Sequence, residues 1–216
     1  NKSFSQNNAV DSLNTLLQAA THDTTRASIL MVLTEELYVS HPDTVIPLCK
    51  EAIVIIEKNI AKANSREKHS FFLIKASALN NIGYIYNNRG QVKEALDYYG
   101  RSLKLYEEIR DKHVIANSLN NIGFVYNNQG QVKEALDYYG RSLKLREEIG
   151  DKQGIATSLN NIGGIYNNQG QVKEALDYFG GSLKIQEEIG DKLGIATSLN
   201  NIGGIYKNKG QGKAPV

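Results

Sequence analysis

Along most of this chain, apolar residues recur every three or four positions, as they do on one face of an amphipathic helix. One such stripe has spacings of four, three and four residues and consists of Ile115, Leu119, Ile122 and Tyr126. The next stripe consists of Val132, Leu136, Tyr139, Leu143 and Ile149. The alternating pattern of a strand and the turn signals of a hairpin are both missing from the sequence. The pattern therefore predicts pairs of helices, each of roughly 15 to 20 residues.

The two-helix pattern belongs to an internal repeat of 40 residues. The blocks 91–130, 131–170 and 171–210 align without gaps, and each of the last two shares 33 of its 40 residues with the block before it. A half copy over 78–90 precedes them. Near-identical blocks of this length predict one helix–turn–helix unit that stacks on copies of itself.

Glycines mark the predicted helix ends, because glycine readily adopts the left-handed conformation that follows a helix. The first helices of the repeats end at Gly90, Gly130 and Gly170. The second helices end at the pairs Gly150-Asp151 and Gly190-Asp191, in which the Asp is suited to cap the next helix.

The N-terminal third departs from the repeat. Residues 23–40 and 43–60 are predicted as two amphipathic helices that His41-Pro42 separates, and 11–20 as a short leading helix. We expect 1–65 to form this leading helix and a degenerate repeat that caps the array. The array itself is expected over 66–210, with three full helix pairs and an unpaired final helix over 193–208. An irregular tail is expected over 211–216.

The pattern Leu79-x-x-Ile82-Gly83-x-x-Tyr86, followed by Ala95 and an aromatic residue, resembles the tetratricopeptide repeat. It recurs from Leu119 and Leu159 and, for the first helix only, from Leu199. The repeat is 40 residues long rather than 34 and has no terminal proline. Such extended repeats are similar to those of kinesin light chains, spindle-orientation adaptors and bacterial signalling proteins. The resemblance implies an all-α fold, a right-handed superhelical solenoid of antiparallel helix pairs. It also implies that the glycine in each first helix lets the second helix approach closely.

Paired asparagines recur in the middle of each predicted first helix, where Asn is an unfavourable residue. The pairs are Asn80-Asn81, Asn120-Asn121, Asn160-Asn161 and Asn200-Asn201. Two interpretations stay open for them: hydrogen bonds between duplicated repeats, or contacts to a ligand. A second set consists of Asn87, Asn127 and Asn167. These lie near the helix ends, where Asn also suits the backbone.

The resemblance assigns the asparagine pairs to a peptide-binding groove. In the families that this chain resembles, first helices line a concave surface, and an Asn matching the second of each pair hydrogen-bonds an extended peptide backbone. One helical turn further on, the residue changes from aromatic to glycine along the array, through Tyr84, Phe124, Gly164 and Gly204. The candidate binding residues are therefore the four Asn pairs, Tyr84, Phe124, Asn87, Asn127 and Asn167.

Composition and charge exclude several other functions. With 25 basic and 23 acidic residues, the net charge of +2 lacks the footprint of a nucleic-acid binder. The four histidines are scattered without metal-ligand spacing, and Cys49 lies between apolar neighbours as a small core residue would. We therefore expect no catalytic residues, no metal, no cofactor and no membrane insertion.

The leading functional hypothesis is a protein–protein interaction module that holds a peptide or partner segment in its groove. The alternative is a sensory or structural region of a larger bacterial signalling protein, which transmits a signal or dimerises. The compartment would be cytoplasmic, or periplasmic for a bacterial sensor. Because the predicted helix 193–208 is as apolar as its internal copies, we also expect a truncated array or a homodimer formed through that helix.

Overall fold

The computed structural model describes residues 2–211, with the side chains of residues 8–208. In this part of the chain ten helices follow one another and no strand occurs, which confirms the all-α prediction. They are α1 (Lys2–Ala19), α2 (Asp23–Leu37), α3 (Pro42–Asn59), α4 (Ser65–Asn88), α5 (Val92–Ile109), α6 (Lys112–Asn128), α7 (Val132–Ile149), α8 (Lys152–Asn168), α9 (Val172–Ile189) and α10 (Lys192–Gln211). The predicted irregular tail, 211–216, lies outside the described residues except for Gln211.

The helices form two compact units, Asn1–Asp111 and Lys112–Val216. In the first unit, α2 packs against α3 and α4 against α5, and α3 also contacts α4. In the second unit, α6 pairs with α7 and α8 with α9, while α10 packs against α9. Consecutive helices joined by short turns are antiparallel neighbours. Each unit therefore shows the helix-pair packing that the repeat pattern predicts.

In each helix pair of the repeat, the second helix packs against a glycine of the first helix. A methyl group added to Gly83 would lie 2.9 Å from a ring carbon of Tyr99, a side chain that is almost fully buried. The same short distance separates Gly123 from the Tyr139 ring and Gly163 from the Phe179 ring. The predicted close approach of the two helices is thus confirmed, and its physical basis is an aromatic ring that rests on bare backbone.

A buried serine adds a polar contact to each pair. The hydroxyl of Ser142 in α7 donates to the backbone carbonyl of Ala116 in α6 at 2.8 Å. The equivalent bonds, also of 2.8 Å, join Ser102 to Ala76 and Ser182 to Ala156. A buried hydroxyl needs such a partner, and here it also fixes the register of one helix along the other.

Left-handed residues end the helices where the sequence places glycine. Gly90, Gly130 and Gly170 have φ between 70° and 72°, which confirms the predicted caps. Gly150 ends α7 with a φ of 70°, and the side chain of Asp151 then accepts a hydrogen bond from the Gly154 N–H at 2.9 Å to begin α8. At the equivalent end of α5 stands Arg110, which adopts a φ of 62°.

The N-terminal helices differ from the prediction mainly at their starts. His41-Pro42 separates α2 from α3 as expected, with the proline in the first turn of α3. The leading helix is longer than predicted, because it begins at Lys2. Helix α4 begins well before the half copy over 78–90, at a capping box in which Asn64 and Glu67 each accept a backbone hydrogen bond from the other.

Two glycines of one repeat give a matched stability test. We expect Gly123→Ala to lower the free energy of unfolding by about 1–3 kcal/mol, because the buried Tyr139 ring has to shift. Gly140→Ala should raise it by about 0.5–1 kcal/mol, because an added methyl at that exposed site meets nothing within 4 Å. Urea unfolding of both variants measures the difference, and two changes of the same sign would contradict the packing described.

Among the described residues, Arg110 is the one non-glycine residue with a positive φ, a conformation that strains its backbone. Glycine occupies the equivalent positions 150 and 190, so we expect Arg110→Gly to stabilise the chain by about 0.5–1 kcal/mol. Gly150→Ala, which forces a side chain into the same conformation, should destabilise it by a similar amount. Thermal and urea unfolding of the two variants check this, and a loss of stability in Arg110→Gly would show that the arginine side chain outweighs the strain.

Candidate functional site

In the second unit, an equivalent stripe of each first helix is open to solvent. In α6 it follows positions 113, 117, 121 and 124, in α8 positions 153, 157, 161 and 164, and in α10 positions 193, 197, 201 and 204. Residues at these positions are exposed or half-buried. Helices α7 and α9 pack against the first helices. The open stripe is here called the first-helix face.

The two asparagines of a pair differ in how many of their side-chain hydrogen-bonding groups have partners within the protein. The amide nitrogen of Asn160 donates to the hydroxyls of Ser182 at 2.9 Å and Ser198 at 3.1 Å. Its carbonyl oxygen lies 3.2 Å from the Ser198 hydroxyl and 3.5 Å from the amide nitrogen of Asn201. An Asn side chain has two donors and one acceptor oxygen, so all the groups of Asn160 have internal partners.

The second asparagine reaches back to the preceding repeat with one N–H. Asn161 donates to the Asn120 carbonyl oxygen at 2.9 Å, and Asn201 donates to that of Asn160 at 3.5 Å. In the first unit, Asn81 donates to the Thr34 hydroxyl at 3.3 Å. Within the hydrogen bonds of the described residues, Asn161 keeps its carbonyl oxygen and its other N–H for a further partner.

The asparagine pairs therefore tie neighbouring first helices together, as one of the two open interpretations expected. Each of these contacts uses one amide N–H of the second asparagine. That residue still lies on the first-helix face. Asn80 and Asn121 are engaged as well. Asn200 is exposed on α10.

The asparagines near the helix ends have a backbone role. The carbonyl groups of Asn87, Asn127 and Asn167 accept hydrogen bonds from Gly90, Gly130 and Gly170, at 2.9 to 3.0 Å. Any residue type supplies such a carbonyl. Ligand binding by these three side chains thus stays a prediction.

The two candidate aromatic residues have different surroundings. Tyr84 lies 4.8 Å from the Tyr38 ring, centroid to centroid, at the edge of an open pocket of about 480 Å³ in the first unit. The pocket is also lined by Val39, Pro42, Asp43, Ile85, Asn88 and Arg89. Arg89 and Asp43 form an ion pair. Phe124 on α6 is 47% exposed.

A second pocket, of about 360 Å³, opens between α8 and α10 in the second unit. Its lining consists of Gln153, Thr157, Asn160, Asn161, Gln186, Asp191, Leu193, Gly194 and Thr197. Most of these residues belong to the first-helix face, and Asn160 and Asn161 both line this pocket. The groups that line it are mostly neutral amides and hydroxyls.

Sequence reasoning named only Asn160 and Asn161 among the nine lining residues, and Gln186 is one of the seven that it missed. It comes from the second helix α9, is 3% exposed, and accepts a hydrogen bond from Ser198 at 2.8 Å. The repeat carries Tyr106 and Arg146 at the equivalent positions, and both are buried too. The residue changes in every block, while the two glutamates that follow it stay the same, and this variation was the available signal.

Elsewhere the described residues offer little chemistry. Cys49 is fully buried in the core of the first unit, as predicted, and burial raises the pKa of its thiol to about 12. No three metal-binding side chains within the described part of the chain lie close enough to share an ion. Across the same residues, no helix combines the length and apolarity of a membrane span.

Stacked helix pairs with one open polar face define a helical-repeat scaffold for binding other proteins. Residues 75–151 and 154–212, more than half of the chain, match the sequence profile of the tetratricopeptide repeat family. The chain belongs to the tetratricopeptide repeat family.

Solved structures share this fold at low sequence identity. BtubC from P. vanneervenii is 18% identical over 95% of this chain and 82% of its own, with a TM-score of 0.74. A putative kinesin light chain from Podosopora anserina with nearly identical TPR-like repeats is 17% identical over 89% and 90%, with a TM-score of 0.59. A Rap protein complexed with competence and sporulation factor is 16% identical over 97% and 60%, with a TM-score of 0.60. A comparison with curated proteins finds no sequence match.

Asn160 makes more hydrogen bonds within the protein than Asn161, which predicts that replacing Asn160 costs more stability. Asn160→Ala should lower the free energy of unfolding by about 1–3 kcal/mol, because the buried Ser182 and Ser198 hydroxyls both lose the amide that donates to them. Asn161→Ala should change it by less than about 1 kcal/mol, because one hydrogen bond is lost and alanine is the better helix former. Urea unfolding measures both, and equal losses would contradict the division of roles.

Proposed function

We propose that this chain is a protein-interaction module that holds an extended segment of a partner protein along its first-helix face. The observation that supports this most directly is the second asparagine of the pair in α8. Asn161 lines the pocket between α8 and α10 and has one N–H and its carbonyl oxygen beyond its bond to Asn120. A donor and an acceptor on one amide match those of a peptide unit.

Of the two asparagines in each predicted pair, the second would contact the partner. The side-chain amide of Asn160 is fully hydrogen-bonded to serines and to Asn201, so this residue stabilises the first-helix face. Asn161 and its equivalents Asn81, Asn121 and Asn201 would contact the partner main chain. Main-chain contacts tolerate many sequences, so selectivity would come from residues that differ between repeats.

The aromatic residues supply one such difference. Phe124 is exposed on the face of α6, whereas the equivalent positions in α8 and α10 are Gly164 and Gly204. An exposed ring favours apolar side chains of a partner, and Tyr84 beside its pocket would do the same in the first unit. The Rap protein of similar fold, complexed with competence and sporulation factor, adds support by likeness of fold only.

Two further roles stay predictions. Transmission within a larger signalling protein would use the same repeats without a captured segment. Homodimer formation through 193–208 would use the exposed Leu199 and Tyr206 of α10, which are 53% and 59% accessible.

Peptide binding tests the proposal. Twelve-residue peptides selected from a random library against the wild-type chain would be titrated by fluorescence anisotropy. We expect Asn161→Ala to weaken binding about five- to tenfold, as the loss of one or two hydrogen bonds to a peptide unit would.

The matched control is Asn168→Ala, which changes an exposed asparagine at the end of the same helix. Its binding should stay within about twofold of the wild type, since a surface change away from the site costs little. Circular dichroism confirms that both variants stay helical. Equal affinities of Asn161→Ala and the wild type for every selected peptide would contradict the proposed role of the second asparagine.

A further inference from the structure

Helix α10 repeats the surface of α8 that α9 covers. Residues 192–208 differ from 152–168 at two of 17 positions. Ile202 and Ile205 of α10 pack against α9, as the equivalent isoleucines of α8 pack against α7. The side of α8 that lies under α9 therefore has a counterpart on α10, and the described part of the chain places no helix over it.

This uncovered side of α10 has the glycine on which an aromatic ring rests in each helix pair of the repeat. A methyl group added to Gly163 of α8 would lie 2.9 Å from the Phe179 ring, whereas one added to Gly203 meets none of the described residues within 4 Å. Leu199 is 53% exposed, and its equivalent Leu119 in α6 is 2% exposed. The exposed residues of this side, here called the α10 docking face, are Lys192, Ala196, Leu199, Gly203 and Tyr206.

The pair formed by α8 and α9 shows which groups a covering helix supplies. Besides the ring of Phe179, α9 contributes the Ser182 hydroxyl, which donates to the Ala156 carbonyl at 2.8 Å. Its Glu188 forms an ion pair of 3.1 Å with Lys152 near the start of α8. Lys192 has the equivalent place on α10, so a glutamate near the end of a covering helix would reach it.

Charge distinguishes between the possible occupants of the α10 docking face. Residues 192–211 include three lysines and no acidic residue, so two copies of α10 packed together would oppose like charges. Residues 172–189, which form α9, include four acidic and two basic residues. The lysines of α10 therefore favour an acidic helix over a second copy of α10.

We propose that the α10 docking face binds an acidic amphipathic helix of a partner protein, in the place that a second helix has in each pair of the repeat. The partner helix has an aromatic residue over Gly203, a serine three residues later and a glutamate opposite Lys192. Burial of the exposed apolar groups stabilises the complex, and the ion pair favours one direction of the helix. This surface is separate from the first-helix face, which follows positions 193, 197, 201 and 204 of α10.

A peptide with the sequence of residues 171–190 is the probe. It includes Gly180→Ala, because that site is open in the structure and alanine raises the helix content of the peptide. Fluorescence anisotropy measures its binding to the whole chain, and we expect saturable binding with NMR shifts of the Leu199 and Gly203 backbone amides. Phe179→Ala within the peptide should weaken binding about tenfold or more, because the ring that covers Gly203 is lost.

Two neighbouring glycines of the chain give a matched pair of variants. Gly203→Ala should weaken peptide binding about tenfold, because the added methyl group occupies the place of the aromatic ring. Gly204→Ala makes the same change on the first-helix face and should leave binding within about twofold of the wild type. Both variants should fold, since an added methyl at either site meets none of the described residues within 4 Å.

Charge reversal tests the direction of the bound helix. Lys192→Glu should weaken binding of the peptide about two- to fivefold, as expected for an exposed ion pair. A peptide with Glu188→Lys should lose affinity for the wild type and regain it with Lys192→Glu. The same loss with both chains would contradict the proposed orientation.

Three results would overturn the docking face. One is the absence of saturable binding, and another is equal affinity of Gly203→Ala and Gly204→Ala for the peptide. The third is sedimentation of the chain as a dimer that Gly203→Ala dissociates, because a second copy would then occupy the face. None of them bears on the proposed function, since the test with Asn161→Ala concerns the first-helix face.

Discussion

The contact between a bare glycine in the first helix and an aromatic ring in the second determines how each pair of the repeat packs. Because position 123 has no side chain, the ring of Tyr139 lies against the helix backbone, and any added carbon would meet it at 2.9 Å. That approach brings the helices close enough for Ser142 to bond the Ala116 carbonyl. The same combination of glycine, ring and serine recurs in the pairs of both units, so each first helix presents the same side to solvent.

Fixed packing of this kind limits where the repeats can differ. Residues of the glycine–aromatic contact and of the helix caps are nearly the same in every block, whereas positions at the base of the first-helix face change from tyrosine to arginine to glutamine. Residues on the open stripe also change, from Phe124 to Gly164. A scaffold that is duplicated almost unchanged, with its variation on one face, is consistent with a partner that contacts that face over several repeats.

Much of this architecture could be predicted from the sequence, because it depends on local rules. Helical periodicity, left-handed glycines such as Gly130 and the Asp151 cap each follow from a few neighbouring residues, and the structure agrees with them. The capping box of Asn64 and Glu67 could have been found by the same reasoning, since both residues stand at the required spacing. The division of labour within each asparagine pair could not, because it depends on Ser198 and Asn120, which lie in other repeats.

The burial of Arg146 shows the same limit. A charged residue beside Glu147 and Glu148 suggests a solvated helix end, and only the packing of α6 and α8 against α7 encloses it.

The central claim, that the first-helix face is the binding surface, is tested most directly by chemical-shift mapping with a selected peptide. The claim predicts that the largest shifts come from Asn161, Gly164 and the side-chain amides of α6 and α8, while Lys144 and Glu147 on the exposed side of α7 stay unchanged. Shifts concentrated on the exposed side of α7 or α9, with the first-helix face unaffected, would contradict it.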